Sequence, residues 1–154
     1  MKKAPEILII NGPNLNMLGK REPEIYGRAT LKDVEKLCRE TAASCGLAAD
    51  CRQSNCEGDI VTWIQESADY HKGIVINAGA YTHTSIAIYD AIKTSRLPVV
   101  EVHVSNIFAR ESFRRQSFIS PAAAGVISGL GIAGYEYAVR HLATLIAPKR
   151  KKKS

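Results

Sequence analysis

Three short segments of this sequence carry polar residues that could handle protons, hydroxyl groups and carboxylates. They span residues 11–26, 77–90 and 101–114, and each begins where a buried strand is predicted to end. Open α/β sheets bind ligands beyond the carboxyl ends of their strands, so we expect the three segments to meet in one pocket. This pattern predicts an enzyme.

The third segment contains a candidate general acid. Glu101 and His103 lie two residues apart on a predicted strand, so their side chains should lie on the same face of the sheet. A carboxylate beside an imidazole fixes its tautomer and stabilises its protonated form, which suits His103 to proton donation. The alternative is a structural ion pair that covers the end of the sheet.

The first segment contains a candidate base, Tyr26. A tyrosine has an ordinary pKa of about 10, but a cation in a partly dry site lowers it, and Arg21 lies five residues earlier in the same loop. The alternative is a loop tyrosine that only packs or forms hydrogen bonds.

The middle segment has residue types that could bind the hydroxyl and carboxylate groups of a ligand. Asn77 ends a predicted strand, Gly79 permits close backbone approach, and residues 82–85 should begin a helix whose free N–H groups favour an anion. His83 and Asp90 are predicted to share one face of that helix. Taken singly, His83 could be a cap-region histidine without a ligand, and Asp90 a solvated helix residue.

Residues 105–121 crowd charged side chains into a short predicted helix. Arg110 and Arg114 should lie on one face, and Glu111 is expected to pair with Arg115 one turn later. Two arginines on one face need an anion or an acidic partner.

The elements that must position these residues follow from hydrophobic patterning. Short apolar runs alternate with amphipathic stretches, which predicts a flavodoxin-like, doubly wound α/β fold with five parallel strands and helices on both faces. Residues 11–27 are too long for an ordinary βα connection and are typical of a lid. The predicted strands cover 7–10, 47–52, 73–76, 99–104 and 125–128, and the helices cover 31–44 after a Thr30 cap, 59–71, 84–95 and 134–146.

Length and charge bound the architecture. The 154 residues suit a single catalytic domain, 1–148, and a basic tail, 149–154, which we expect to be disordered. The formal charge is +6, and Lys149, Arg150 and three further lysines of the tail account for five of it. Nucleic-acid or membrane binding through the tail is the less favoured alternative, because the nearly neutral body offers nothing to support it.

Cysteine spacing and the absence of a long apolar stretch indicate the compartment. Cys38, Cys45, Cys51 and Cys56 match neither a redox pair nor a zinc site and are expected to be buried, reduced thiols. The apolar run at 7–10 is too short for a signal peptide or a membrane span, so we expect a cytoplasmic protein.

Motifs for cofactors are missing from the sequence. There is no Gly-x-Gly-x-x-Gly or Walker loop, no Gly-x-Ser-x-Gly elbow and no metal-ligand spacing, so nucleotide and metal chemistry are disfavoured. The main alternative class is a flavodoxin-like module that binds flavin or a small anion, but Gly12-Pro13-Asn14 lacks the hydroxyls of a phosphate-binding loop.

Four motifs in order closely resemble type II 3-dehydroquinate dehydratase, and the resemblance spans about residues 6–147. They are Ile10-Asn11-Gly12-Pro13-Asn14-Leu15; Arg21-Glu22-Pro23 with Tyr26-Gly27; Asn77-Ala78-Gly79 with Thr82-His83-Thr84-Ser85; and Glu101-Val102-His103 with Ser105-Asn106, Arg110-Glu111 and Phe113-Arg114.

The resemblance implies dehydration of 3-dehydroquinate to 3-dehydroshikimate without a cofactor, in the shikimate pathway of aromatic amino acid biosynthesis or in quinate catabolism. Tyr26, as a tyrosinate with its pKa lowered by Arg21, would remove a C2 proton to give an enolate. His103, paired with Glu101, would protonate the departing C1 hydroxyl in an anti elimination. Asn14 and the Pro13 backbone would hold a water at the enolate oxygen.

The same resemblance assigns the substrate contacts. Asn77 and the backbone N–H groups of Val104 and Ser105 would bind the carboxylate, next to Gly79. Residues 21–26 would form a lid over which Arg110 closes.

The ring hydroxyls would be read by His83, Arg114 and Asp90. Asp90 would reach in from a neighbouring subunit of a trimer, and four such trimers would form a dodecamer. The expected partners are therefore the small-molecule substrate and further copies of the chain.

Overall fold

The strands of this computed structural model form one parallel sheet. The structure describes residues 2–20 and 22–149 and, for Tyr26, the backbone alone. Five strands in the described residues hydrogen-bond in the order β2-β1-β3-β4-β5, and every pair is parallel. They are β1 (Glu6–Asn11), β2 (Ala48–Gln53), β3 (Ile74–Asn77), β4 (Val99–His103) and β5 (Gly125–Ser128).

Helices cover both faces of this sheet, as a doubly wound fold requires. The pair α2 and α5 packs on one face, and α3 and α4 pack on the other. The bounds are α1 (Pro23–Tyr26), α2 (Leu31–Ser44), α3 (Glu57–Tyr70), α4 (Ile86–Ser95) and α5 (Ala133–Ile146). The predicted flavodoxin-like architecture is confirmed.

Burial on both faces explains the apolar sequence of the central strand β1. Ile7 and Ile9 join the core under α2 and α5, whereas Leu8 and Ile10 join the core under α3 and α4, and all four are fully buried. An alternating polar pattern is therefore impossible here, because neither face of β1 meets solvent.

The strand register brings the polar strand ends together. Asn11 at the end of β1 pairs with Gln53 of β2 on one side and with Asn77 of β3 on the other. The chain places β2 on one side of β1 and the later strands on the other side. In such a strand order a crevice opens between β1 and β3, at their carboxyl ends.

The predicted start of α2 is confirmed by its capping contacts. The Asp33 backbone N–H donates to Thr30 Oγ1 at 3.3 Å, and the Thr30 backbone N–H donates to Asp33 Oδ2 at 2.8 Å. This reciprocal capping box satisfies two N–H groups at the helix start. The hydrogen bond from the Thr30 backbone lowers the pKa of Asp33, and the hydrogen bond from the Thr30 hydroxyl adds a smaller effect in the same direction.

Two predicted helices differ in the structure: one begins later than expected, and the other is replaced by 3₁₀ turns. Ser85 caps α4 by accepting a hydrogen bond from Ile88 N–H at 3.0 Å, so Gly79–His83 forms a separate 3₁₀ helix. The prediction that His83 and Asp90 share one helix is therefore wrong. Residues 105–121 likewise contain short 3₁₀ turns instead of a helix, because the extended backbone of Arg110 interrupts the segment.

The cysteines are all free thiols, but they are not all buried. Cys38 is buried, Cys45 and Cys51 are half-buried, and Cys56 is exposed just before α3. Burial raises the pKa of the Cys51 thiol to about 11. Within the described part of the chain, no helix is long and apolar enough to cross a membrane.

Candidate active site

A cavity of about 110 Å³ lies beyond the carboxyl ends of β1, β3 and β4. Among the described residues, nine of the predicted site residues line it: Asn14, Asn77, Gly79, His83, His103, Val104, Ser105, Arg110 and Arg114. The other described residues of its wall are Pro13, Leu15, Met17, Leu18, Ala80 and Ile107. The three polar segments of the sequence therefore do meet in one pocket.

The predicted pairing of Glu101 with His103 is present. His103 Nε2 lies 2.6 Å from Glu101 Oε2, and Glu101 has no exposed surface. An ionised Glu101 can only accept hydrogen bonds, so Nε2 carries the hydrogen and Nδ1 is the ring nitrogen that Glu101 does not use. Because His103 lines the cavity, this tautomer suits proton transfer through Nδ1.

Two serines complete the surroundings of the Glu101 carboxylate. Ser117 Oγ lies 2.9 and 3.2 Å from its two oxygens, and Ser120 Oγ lies 3.0 and 3.1 Å from them. Each hydroxyl can donate one hydrogen bond, so the carboxylate accepts from three donors among the described residues, His103 and the two serines. A buried carboxylate needs such donors in place of water.

His83 stands next to His103 on the cavity wall. The two rings are stacked, with centroids 6.5 Å apart and an angle of 19° between their planes. His83 Nδ1 lies 2.7 Å from the Gln116 carbonyl oxygen, which can only accept. Nδ1 therefore carries a hydrogen, and Nε2 is left to accept from, or when charged donate to, a ligand.

A fully buried tyrosine fixes the Asn77 side chain. Asn77 Nδ2 donates to the Tyr135 hydroxyl at 2.9 Å, and that hydroxyl donates to Asn11 Oδ1 at 2.6 Å. Asn77 Oδ1 accepts from the Gly79 N–H at 3.2 Å. Burial raises the pKa of Tyr135, so its hydroxyl stays neutral and serves as a bridge between two amides.

Two glycines allow the loops after β1 and β3 to touch. A Cβ added to Gly12 would lie 2.6 Å from the Ala78 carbonyl carbon, and one added to Gly79, which has φ +58°, would lie 2.9 Å from the Pro13 oxygen. Any side chain at either position would push the loops apart. Asn14 follows in the left-handed conformation, with φ 67°.

The loop that carries Asn14 is held from the side of β2. The Asn14 backbone N–H donates to Asn55 Oδ1 at 3.0 Å, and Gln53 Nε2 donates to the Gly12 carbonyl at 3.2 Å. The Tyr81 hydroxyl donates to the Asn55 carbonyl at 2.6 Å. Asn55 therefore links the loops after three strands.

Glu111 pairs with different arginines from the one expected. Its Oε2 lies 2.8 Å from Arg114 Nε and 3.7 Å from Arg110 Nε, so the predicted pair with Arg115 is wrong. The 3₁₀ turn brings a residue three positions later, instead of four, beside the carboxylate. The hydrogen bond from its own backbone, followed by that from Arg114, lowers the pKa of Glu111.

The cavity wall is rich in groups that attract anions. Arg110, Arg114, His83 and His103 all line it, and none of its described lining residues is acidic. Arg110 Nη1 also donates to Ser105 Oγ at 3.3 Å, which ties the arginine to the end of β4. Glu111 pairs with both arginines, and one carboxylate against two guanidinium groups leaves an excess of positive charge that favours a negatively charged ligand. Among the described residues, no three His, Cys, Asp or Glu side chains are placed to hold a metal ion.

Some predicted site residues lie away from this cavity or outside the description. Asp90 is exposed on α4 and does not line the cavity of its own chain, and Glu101 lies behind His103. Arg21 and the side chain of Tyr26 lie outside the described residues.

Four supporting residues escaped the sequence analysis: Asn55, Ser117, Ser120 and Tyr135. Their contacts join positions 16 to 124 residues apart. Asparagine and serine in loops are common, and a tyrosine in an amphipathic helix is an ordinary core residue, so no local pattern marked them.

Comparison with known proteins agrees with this geometry. A profile of the family described as dehydroquinase class II matches residues 5–143. A 3-dehydroquinate dehydratase of Rhodopseudomonas palustris strain HaA2 is 58% identical over 146 residues, which cover 94% of this chain and 97% of the relative. The type II dehydroquinase of Propionibacterium acnes has a similar structure, with a TM-score of 0.88, 44% identity and coverage of 94% of this chain and 99% of the other. The chain therefore belongs to the class II dehydroquinase family.

Proposed function

We propose that this protein is a lyase that dehydrates 3-dehydroquinate to 3-dehydroshikimate by an anti elimination through an enolate. The observation that carries the proposal is the buried Glu101–His103 pair on the wall of an anion-attracting cavity. A β-hydroxy ketone that also bears a carboxylate needs an acid, a base and anion donors, and this site offers residues for each task. Family membership supports the same reaction.

The acid step uses His103. Its protonated ring would deliver the Nδ1 proton to the departing C1 hydroxyl, while Glu101 holds Nε2–H and balances the positive charge. Water leaves, and the electron pair of the enolate completes the new double bond. The buried position of the pair limits competition from solvent.

The base step is assigned to Tyr26 with the help of Arg21. A tyrosinate would remove the C2 proton made acidic by the C3 ketone, and the adjacent guanidinium would lower the pKa of the phenol. A water held by Asn14 and the Pro13 backbone would stabilise the enolate oxygen. The left-handed backbone at Asn14, fixed by Asn55, supports that role because it presets the loop.

Substrate binding is assigned to the rest of the cavity wall. The Asn77 amide and the N–H groups of Val104 and Ser105 would hold the carboxylate, and His83 and Arg114 would bind the ring hydroxyls. Tyr135 supports this because its hydroxyl fixes which way the Asn77 amide points.

Asp90 and the lid complete the proposed site. Asp90 is exposed on α4, so it would complete the site of an adjoining subunit in a trimer, with four trimers forming a dodecamer. The loop of residues 21–26 would close over the substrate together with Arg110. The reaction would serve the shikimate pathway or quinate catabolism in the cytoplasm.

The direct test is the rise in ultraviolet absorbance when a conjugated enone forms from 3-dehydroquinate in a chelator-treated preparation. We expect turnover by the wild-type protein and a loss of about two to four orders of magnitude in kcat for Tyr26→Phe, because only the proton-accepting hydroxyl is removed. Tyr70→Phe, at the exposed end of α3, is the matched control. No product, or a Tyr26→Phe variant with a third of the wild-type kcat, would contradict the reaction or the tyrosinate step, respectively.

The competing flavin-binding function has a simple observable. A flavodoxin-like module would retain a yellow ligand through purification, whereas we expect a colourless preparation. The family assignment does not favour this alternative.

A further inference from the structure

We infer that Ser117 and Ser120 are positioning residues for the acid step, acting on His103 through Glu101. The inference rests on the proposed function, because it concerns the same proton transfer. It goes beyond it by assigning a role to a segment that none of the four sequence motifs includes.

Three donors surround the carboxylate of Glu101 among the described residues. Glu101 is fully buried, and its two oxygens lie within 3.2 Å of His103 Nε2 or of the two serine hydroxyls. With both hydroxyls present, the carboxylate is held in one rotamer with an oxygen aimed at Nε2. Without them, Glu101 would be left with His103 as its single described donor, and the charged form would lose the stabilisation that the two hydroxyls provide.

The segment 117–120 is folded so that it presents both hydroxyls to Glu101. Ser117 Oγ accepts hydrogen bonds from the backbone N–H groups of Ile119, at 3.1 Å, and Ser120, at 3.0 Å. These bonds close a tight turn in which both hydroxyls point at one carboxylate. Among the described contacts, the Ser120 hydroxyl bonds only Glu101, so its contribution is separate from the turn.

The chain just before these serines also holds the second histidine, His83. The Gln116 carbonyl accepts from His83 Nδ1 at 2.7 Å, and the Phe118 N–H donates to the Thr82 carbonyl at 2.9 Å. Residues 116–120 therefore fix both stacked rings as well as Glu101. The acid and the proposed hydroxyl-binding histidine keep their spacing because one short segment contacts His83 directly and His103 through Glu101.

The consequence for catalysis is a fixed tautomer. A carboxylate held by two hydroxyls keeps the hydrogen of His103 on Nε2. The other ring nitrogen, Nδ1, is then left to transfer a proton to a ligand in the cavity. A carboxylate that rotates or takes up a proton would no longer fix the ring, so a smaller fraction of His103 would be ready to donate. Substrate binding would change little, since neither serine lines the cavity.

The test combines alanine variants with a double-mutant cycle. We expect Ser120→Ala to lower kcat by about 10- to 100-fold and to change KM by less than about twofold, and Ser120→Thr, which keeps the hydroxyl, to recover most of the loss. In a His103→Ala background, Ser120→Ala should cause no further loss of kcat, because the residue acts through that ring. Ser67→Ala, which removes a buried hydroxyl bonded to a helix carbonyl in α3, should leave kcat unchanged.

Ser117→Ala should show the same pattern with an added loss of stability, because its hydroxyl also closes the turn. Circular dichroism and sedimentation of each variant establish that fold and assembly are retained. An equal loss of kcat in both His103 backgrounds, an effect confined to KM, or a wild-type kcat for Ser120→Ala would overturn the inference while the dehydratase activity stands. A wild-type protein without turnover would overturn the proposed function, and this inference with it.

Discussion

Replacing Tyr135 by phenylalanine should destabilise the protein without disturbing its packing. The ring of Tyr135 is fully buried, and phenylalanine fills the same space apart from the hydroxyl. That hydroxyl accepts from Asn77 Nδ2 and donates to Asn11 Oδ1, so its removal leaves a buried donor and a buried acceptor without this partner. The two amides come from neighbouring strand ends, β1 and β3.

The magnitude follows from the two groups that lose their partner. A buried donor or acceptor left unsatisfied costs about 1–3 kcal/mol of stability. Part of this loss is offset, because phenylalanine has no polar hydroxyl whose burial opposes folding. We expect a loss of about 2–4 kcal/mol in the free energy of unfolding. Asn11 is poorly placed to compensate, since its Nδ2 already has no partner among the described residues.

The assay is urea unfolding at one fixed protein concentration, because self-association would otherwise shift the midpoint. Tyr137→Phe is the matched control, since this tyrosine lies on the same helix with 54% of its surface exposed. We expect the control to change the unfolding free energy by less than about 0.5 kcal/mol. The KM of Tyr135→Phe should also rise, because the Asn77 amide is no longer held in one orientation.

A Tyr135→Phe variant as stable as Tyr137→Phe would refute this reasoning. Such a result would mean that the Asn11 and Asn77 amides rotate to other partners at little cost. A large loss of stability with an unchanged KM would separate the two effects and limit Tyr135 to a role in folding.

Three further predictions concern the proton donor, the assembly and the thiols. His103→Ala should lower kcat severely, whereas Arg114→Ala should also raise KM; an effect on KM alone for both would make His103 merely structural. Mixing inactive Tyr26→Phe chains with impaired Asp90→Ala chains should restore part of the activity, and no recovery after verified subunit exchange would disprove a shared site. At pH 8, iodoacetamide should modify exposed Cys56 well before Cys51, whose thiol stays protonated until the pH approaches 11, and mass spectrometry showing the reverse order would contradict the burial of Cys51.

Local sequence determined the elements of this fold and their order. Strand β1 is apolar at every central position because both of its faces are buried, and the Thr30–Asp33 pair marks the start of α2 through contacts between residues three apart. The Glu101–His103 pair was equally predictable from the sequence, because alternation along a strand places residues two apart on one face. These features depend on the period of the backbone, which a sequence displays directly.

Tertiary structure alone decided which groups support those residues. Asn11 meets Tyr135 across 124 positions, and Ser120 meets Glu101 across 19, at the end of an irregular segment whose path no periodicity specifies. The same holds for Glu111, whose partner depended on a 3₁₀ turn replacing the expected helix. Hydrogen bonds between distant loops depend on where the packed sheet and helices return the chain, so the partners of Glu101 and Asn77 became visible only once the elements were assembled around the cavity.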